Sequence, residues 1–132
     1  MSWLKFQVYP PLIKKLFLVY ILGFSIGTTT HIIDLMNHGL ILNESVPLWK
    51  NIYWVSLTFF DFLAVFLILS DIKAALILSN LIIISDVIIN TNGFTANWFG
   101  YKVILQLIFC VYIVITTPII LKAHRNALLQ GK

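Results

Sequence analysis

Residues 52–70 read IYWVSLTFFDFLAVFLILS, nineteen residues with a single charge, Asp61, at their centre. A helix rises about 1.5 Å per residue, so this stretch spans roughly the 30 Å hydrocarbon core of a bilayer. Asp61 then falls near mid-membrane, where a carboxylate costs about 2.5–3.5 kcal/mol on insertion scales. The rest of the chain is read by asking what makes that acid tolerable.

The composition agrees with a membrane reading. Of 132 residues, 60% are hydrophobic and only 11% charged, and the mean hydropathy is +0.95. A soluble domain carries far more charge on its surface. Four continuous apolar runs stand out, at about 16–35, 52–70, 74–91 and 103–121. Strands of a membrane barrel alternate and run about ten residues, whereas these runs are unbroken and longer. The expectation is an all-α chain: one integral membrane domain over 1–132, an up-down-up-down four-helix bundle.

Basic residues set the expected orientation. Lys5, Lys14, Lys15, Lys73, Lys122, Arg125 and Lys132 fall on one side of such a bundle, and only Lys50 and Lys102 on the other. The positive-inside rule puts the first group, and both termini, in the cytoplasm. The net charge of +4 is therefore a topology signal and implies no nucleic acid. The N-terminal run is too long for a signal peptide and is followed by no small-x-small cleavage site, so it reads as a retained first helix. The expected location is a bacterial inner (plasma) membrane. The single cysteine, Cys110, reads as a packing residue.

Helix punctuation and interface residues follow. Pro10-Pro11 stops any helix running back to Met1, and Gly39 is a natural helix stop. Pro47 suits the start of the second helix. The short segment 70–73 makes the second and third helices an antiparallel hairpin. Trp3, Lys5 and Phe6 suit the inner interface; Trp49, Tyr53, Trp54, Trp98 and Tyr101 read as an outer aromatic belt. Asn43-Glu44-Ser45 is a sequon that matters only in a eukaryotic secretory pathway.

Polar residues recur at helical spacing. Gly23 and Gly27 form a G-x-x-x-G step, which invites close helix packing. The same stripe continues through His31 and Asp34. Trp54, Thr58 and Asp61 share a face of the second run; Ser79, Asp86 and Asn90 share one in the third. Asp86 and Asn90 are one turn apart and within hydrogen-bonding reach. Gln106, Cys110 and Thr117 share a face of the fourth run, where Thr116 and Thr117 can satisfy carbonyls freed by Pro118. Counting from the outer ends of the runs at about 1.5 Å per residue, Asp61 lies roughly 13 Å deep, Asp86 about 8 Å, His31 about 6 Å and Gln106 about 4–5 Å. Asp34 and Asn90 lie near the surface. These groups crowd the outer half, and His31 is the only basic group at that level. Either some acids are neutral, or a bound cation or partner supplies charge, or water enters; a water-filled pocket open to the outer face meets all three conditions. The plainer reading of Asp61 is a structural acid bonded to Thr58 or Asn90, and that of His31 and Asp34 a helix-end pair.

The spacings exclude several chemistries. His31 and His38 are two turns apart, too far to share one ion on a straight helix. There is no C-x-x-C, no H-E-x-x-H and no second histidine in another span, so neither metal nor haem is expected. No cofactor is expected either. The four-span layout, with His31 and Asp34 as H-x-x-D near the end of the first span and an acid in the second, resembles the EXPERA family of emopamil-binding protein and the sigma-2 receptor. That resemblance implies a four-span protein with acids in a membrane pocket. The third run differs, carrying Asp86 where that family has a histidine pattern.

The leading functional expectation is a binding or transport module. Its acidic outer pocket would comprise His31, Asp34, Trp54, Thr58, Asp61, Asp86, Asn90 and Gln106, and would take a small apolar or cationic ligand or a lipid. A second class is a membrane enzyme doing acid–base, isomerase-like chemistry on a lipid-like substrate; it would bring two acids and His31 to one reacting atom. A third is an interaction, assembly or toxin-immunity protein with a membrane partner or a second copy of itself. That one would turn a polar face outward.

Overall fold

The structure, a computed structural model, describes residues 8–91 and 101–130, with side chains for 103–129 at the C-terminal end. It comprises four helices: α1 Pro11–His38, α2 Leu48–Ser70, α3 Ile72–Thr91 and α4 Tyr101–Gln130. All four are long and apolar enough to cross a membrane, and the chain is a multi-pass integral membrane protein. Trp3, Lys5, Phe6, Trp98 and Lys132 lie outside the described residues, as do the side chains of Tyr101 and Lys102.

The helix ends follow the punctuation. Pro11 takes the first helical position of α1, where a missing N–H is harmless. Gly39 ends α1 with φ 69°, and its N–H bonds to Leu35 O at 2.9 Å. Pro47 immediately precedes α2. Asp71 alone separates α2 from α3; its Oδ1 accepts from the N–H groups of Lys73 (3.0 Å) and Ala74 (3.2 Å) and caps α3. The helices outrun the apolar runs: α1 starts at Pro11 rather than near 16, α2 at Leu48 rather than Ile52, and α4 continues beyond Leu121 to Gln130. Apolarity marks what lies in lipid, whereas a helix stops only where its backbone is broken, and lysines, alanines and leucines are good helix formers.

The helices form a ring in which α1 packs on α2, α2 on α3 and α3 on α4. The α1–α4 seam closes the ring most lightly. Phe17, Tyr20, Ala64, Ile68, Leu76, Ile113 and Ile120 fill the centre. The outward faces expose residues such as Ile26, Phe59 and Ile77, as lipid-facing surfaces do.

The α1–α4 seam is tied towards the end where α1 starts and α4 stops, called here the terminal end. Tyr20, fully buried, donates to Ile113 O at 3.1 Å and meets Thr116 and Thr117 Oγ1 at 3.0 and 3.2 Å. Tyr112 donates to Leu16 O at 3.1 Å, and the Tyr9 hydroxyl meets His124 Nδ1 at 2.7 Å. Pro118 cannot donate to the carbonyl of residue 114. The two threonines bond to Tyr112 O and Ile113 O, at 2.7 and 2.8 Å, and so do not reach the carbonyl that Pro118 frees, contrary to the expectation from the sequence. Tyr20→Phe should lower stability by about 1–2 kcal/mol, read as an earlier thermal transition in detergent; an unchanged transition would show the seam is held by packing alone.

Asn51, at the loop end of α2, is 1% exposed. Its Oδ1 accepts from Asn43 N and its Nδ2 donates to Asn43 O, both at 2.9 Å. One amide therefore replaces a missing backbone partner for the α1–α2 loop. Asn51→Ala would orphan both groups, with an expected loss of about 1–3 kcal/mol; faster proteolysis of the 39–47 loop is the measurement.

A candidate polar site between the helices

Asp61 and Asp86 are both buried, at 5% and 6% exposure, and face the bundle interior from α2 and α3. Asp61 lies within reach of the charge of Asp86. His31 of α1 approaches Asp61, with Nε2 at 3.9 Å from Oδ2. That separation suits an ion pair and exceeds direct hydrogen-bond range.

Depth counted along the sequence puts Asp61 level with Gly27, one turn inward of His31. The structure shows why the acid nevertheless meets the histidine. Side chains tilt towards the N-terminus of their own helix. On α1 that tilt carries His31 towards the terminal end, and on the antiparallel α2 it carries Asp61 towards the loop end. Gly27 leaves the room between them: a Cβ there would strike Asp61 Oδ2. Gly23 serves a different neighbour, since a Cβ at that position would overlap the ring of Phe109 on α4. That ring packs edge-on against Phe24 at 5.4 Å and stacks with Tyr112 at 6.3 Å. The two glycines thus admit side chains from two helices, not one backbone along a shared stripe. Gly23→Leu should displace Phe109 and cost about 1–3 kcal/mol; a variant that melts with the parent would show that the ring swings aside freely.

Beside the two acids, Asn90 is the hub of a second set. Its Nδ2 donates to Asp86 Oδ1 at 2.8 Å and to Gln106 Oε1 at 3.2 Å, and its Oδ1 accepts from Trp54 Nε1 at 2.9 Å. Three helices meet on one amide. The expected Asp86–Asn90 bond is present, whereas Asp61 bonds to neither Thr58 nor Asn90. Thr58 Oγ1 is buried without a hydrogen-bond partner. Trp54 and Tyr53, read from the sequence as belt residues, turn inward; the Tyr53 hydroxyl meets Ser85 Oγ at 2.8 Å. Trp49 remains exposed and fits the belt.

Asp34 stands apart. It lies beyond His31 towards the loop end, half-buried, and its backbone carbonyl lies 3.2 Å from His38 Nδ1. Hydrogen bonds thus join Trp54, Asp86 and Gln106 to Asn90, His31 faces Asp61, Thr58 is buried without a partner, and among the described residues no hydrogen bond or ion pair ties Asp34 to this set. Among the described residues no cluster of three metal-ligating side chains occurs.

One feature escaped the sequence reading. A groove of about 600 Å³ runs along α3 on the outside of the bundle, lined by residues including Lys73, Ile77, Ile84 and Leu121. Nothing in the periodicity of α3 separates a groove from an ordinary lipid-facing surface. No family model matches the chain, and neither the curated proteins nor the solved structures give a match.

Proposed function

We propose that this membrane protein is a binding or transport module for a small organic cation, held between α1, α2 and α3 by Asp61 and Asp86. One observation carries the reading: two carboxyl groups buried on neighbouring helices, the charge of Asp86 acting on Asp61, with only His31 as a basic neighbour among the described residues. A buried acid is tolerated when a positive group or water joins it, and a cation between the two would answer both. Asn90, Gln106 and Trp54 would hold Asp86 in place. In this reading the basic side faces the cytoplasm, the polar set lies in the outer half, and ligand enters from the outer face.

Tetraphenylphosphonium is a suitable probe, tested on protein in nanodiscs of zwitterionic lipid. Binding should saturate and weaken at least about ten-fold in Asp61→Asn and in Asp86→Asn. Asp34→Asn, outside the cluster, should bind as the parent does. Equal binding by all four proteins would refute the site. Orientation has its own check: a reporter fused after Lys132 should be active only if its folding requires the cytoplasm, and activity of a periplasmic reporter there would reverse the topology.

A further inference from the structure

The groove along α3 is independent of the acidic cluster. It runs from Lys73 to Ile88, fifteen residue steps or roughly 22 Å of helix. Its volume of about 600 Å³ lies within the roughly 300–1,000 Å³ of small-ligand sites. The polar residues that border it spend their hydrogen bonds elsewhere. Asn80 Nδ2 donates to Leu76 O and Thr117 Oγ1, both at 2.8 Å, and Ser85 is engaged by Tyr53 and by Leu81 O. The wall offered to an occupant is hydrocarbon.

Among the described lining residues, charge appears only at one mouth, at Lys73. Lys73 lines the terminal end of the groove and lies close enough to His124 for their charges to interact. Thr117, Leu121 and Arg125 follow at steps of four on α4, so Arg125 stands one turn beyond the lining residue Leu121 on the same face. Asp71 is also near this mouth, but its carboxylate is occupied in capping α3. Among the described residues neither Lys73 nor Arg125 has an ion-pair partner. A long apolar channel with two cations at one end matches a molecule with a hydrocarbon tail and an anionic head.

We propose that this groove is a binding site for an anionic phospholipid: one acyl chain lies along α3, and the phosphate rests between Lys73 and Arg125. The occupant is a lipid rather than a second copy of the chain, because two cations at the mouth complement an anionic headgroup better than a chain of net charge +4.

The test is native mass spectrometry of the detergent-purified protein with phosphatidylglycerol and phosphatidylcholine of identical chains. Lys73, Leu81, Ile84 and Arg125 are exposed and Lys50 is half-buried, so circular dichroism should be unchanged. One phosphatidylglycerol should be retained in preference to phosphatidylcholine. Lys73→Gln and Arg125→Gln should each weaken it about five-fold, as expected for one basic residue near a lipid headgroup. Leu81→Trp, which fills the groove without altering charge, should weaken both lipids, and Lys50→Gln at the opposite end should weaken neither. The proposal falls if Lys50→Gln acts as strongly as Lys73→Gln, or if Leu81→Trp has no effect. It also falls if Ile84→Cys cross-links two copies while lipid is lost.

Discussion

Gly27→Leu should lower the stability of the bundle by about 3 kcal/mol, at the upper end of what overpacking costs. Even a single Cβ at this position would strike Asp61 Oδ2, and three further carbons would force α1 away from α2, its most extensive neighbour. Gly27→Ala should be milder, about 1 kcal/mol, because the obstructing atom is the end of a side chain that can rotate. The two sites should also couple: Gly27→Ala combined with Asp61→Ala should cost less than the two changes separately, since the second removes the atom struck by the first. Thermal unfolding in detergent reads all four variants against the parent. A Gly27→Leu protein as stable as the parent would mean that α1 and α2 do not meet at this level.

Four spans, their order and the hairpin at Asp71 were legible because lipid imposes a length and an apolarity that 52–70 and its counterparts display without ambiguity. The faces were legible too: spacing alone placed Asp86 against Asn90 and grouped Ser79 with them on the buried side. What periodicity could not give was the partner across the interface. Gly23 and Gly27 share a stripe, yet a crossing helix pair separates their neighbours into Phe109 and Asp61. Depth counting put His31 and Asp61 roughly 7 Å apart, because it located backbones and ignored the opposed tilt of side chains on antiparallel helices. Tyr53 and Trp54 looked like belt residues because an aromatic with a polar tip suits an interface and an interhelical hydrogen bond equally well. Only the placement of Ser85 and Asn90 decides between the two.

Asp61→Asn should yield a protein at least as stable as the parent that no longer holds a cation. The amide keeps the shape that fits against Gly27 and removes the desolvation burden of a buried acid. Its new N–H₂ group has a candidate acceptor one turn away, because Thr58 Oγ1 is buried without a partner. Asp61→Ala lacks both advantages. It opens space between α1 and α2 and leaves His31 without the carboxyl it faces at 3.9 Å, so it should lose about 1–2 kcal/mol as well as the binding. The order of unfolding temperatures is therefore Asn at or above parent, and parent above Ala, while tetraphenylphosphonium binding divides parent from both. A purely structural acid predicts a different pattern, in which Asn unfolds early and binding, if any is found, follows stability rather than charge. Gain of stability with loss of binding in the same substitution is the behaviour of a residue kept for what it binds, and stability and binding moving together would remove Asp61 from the site.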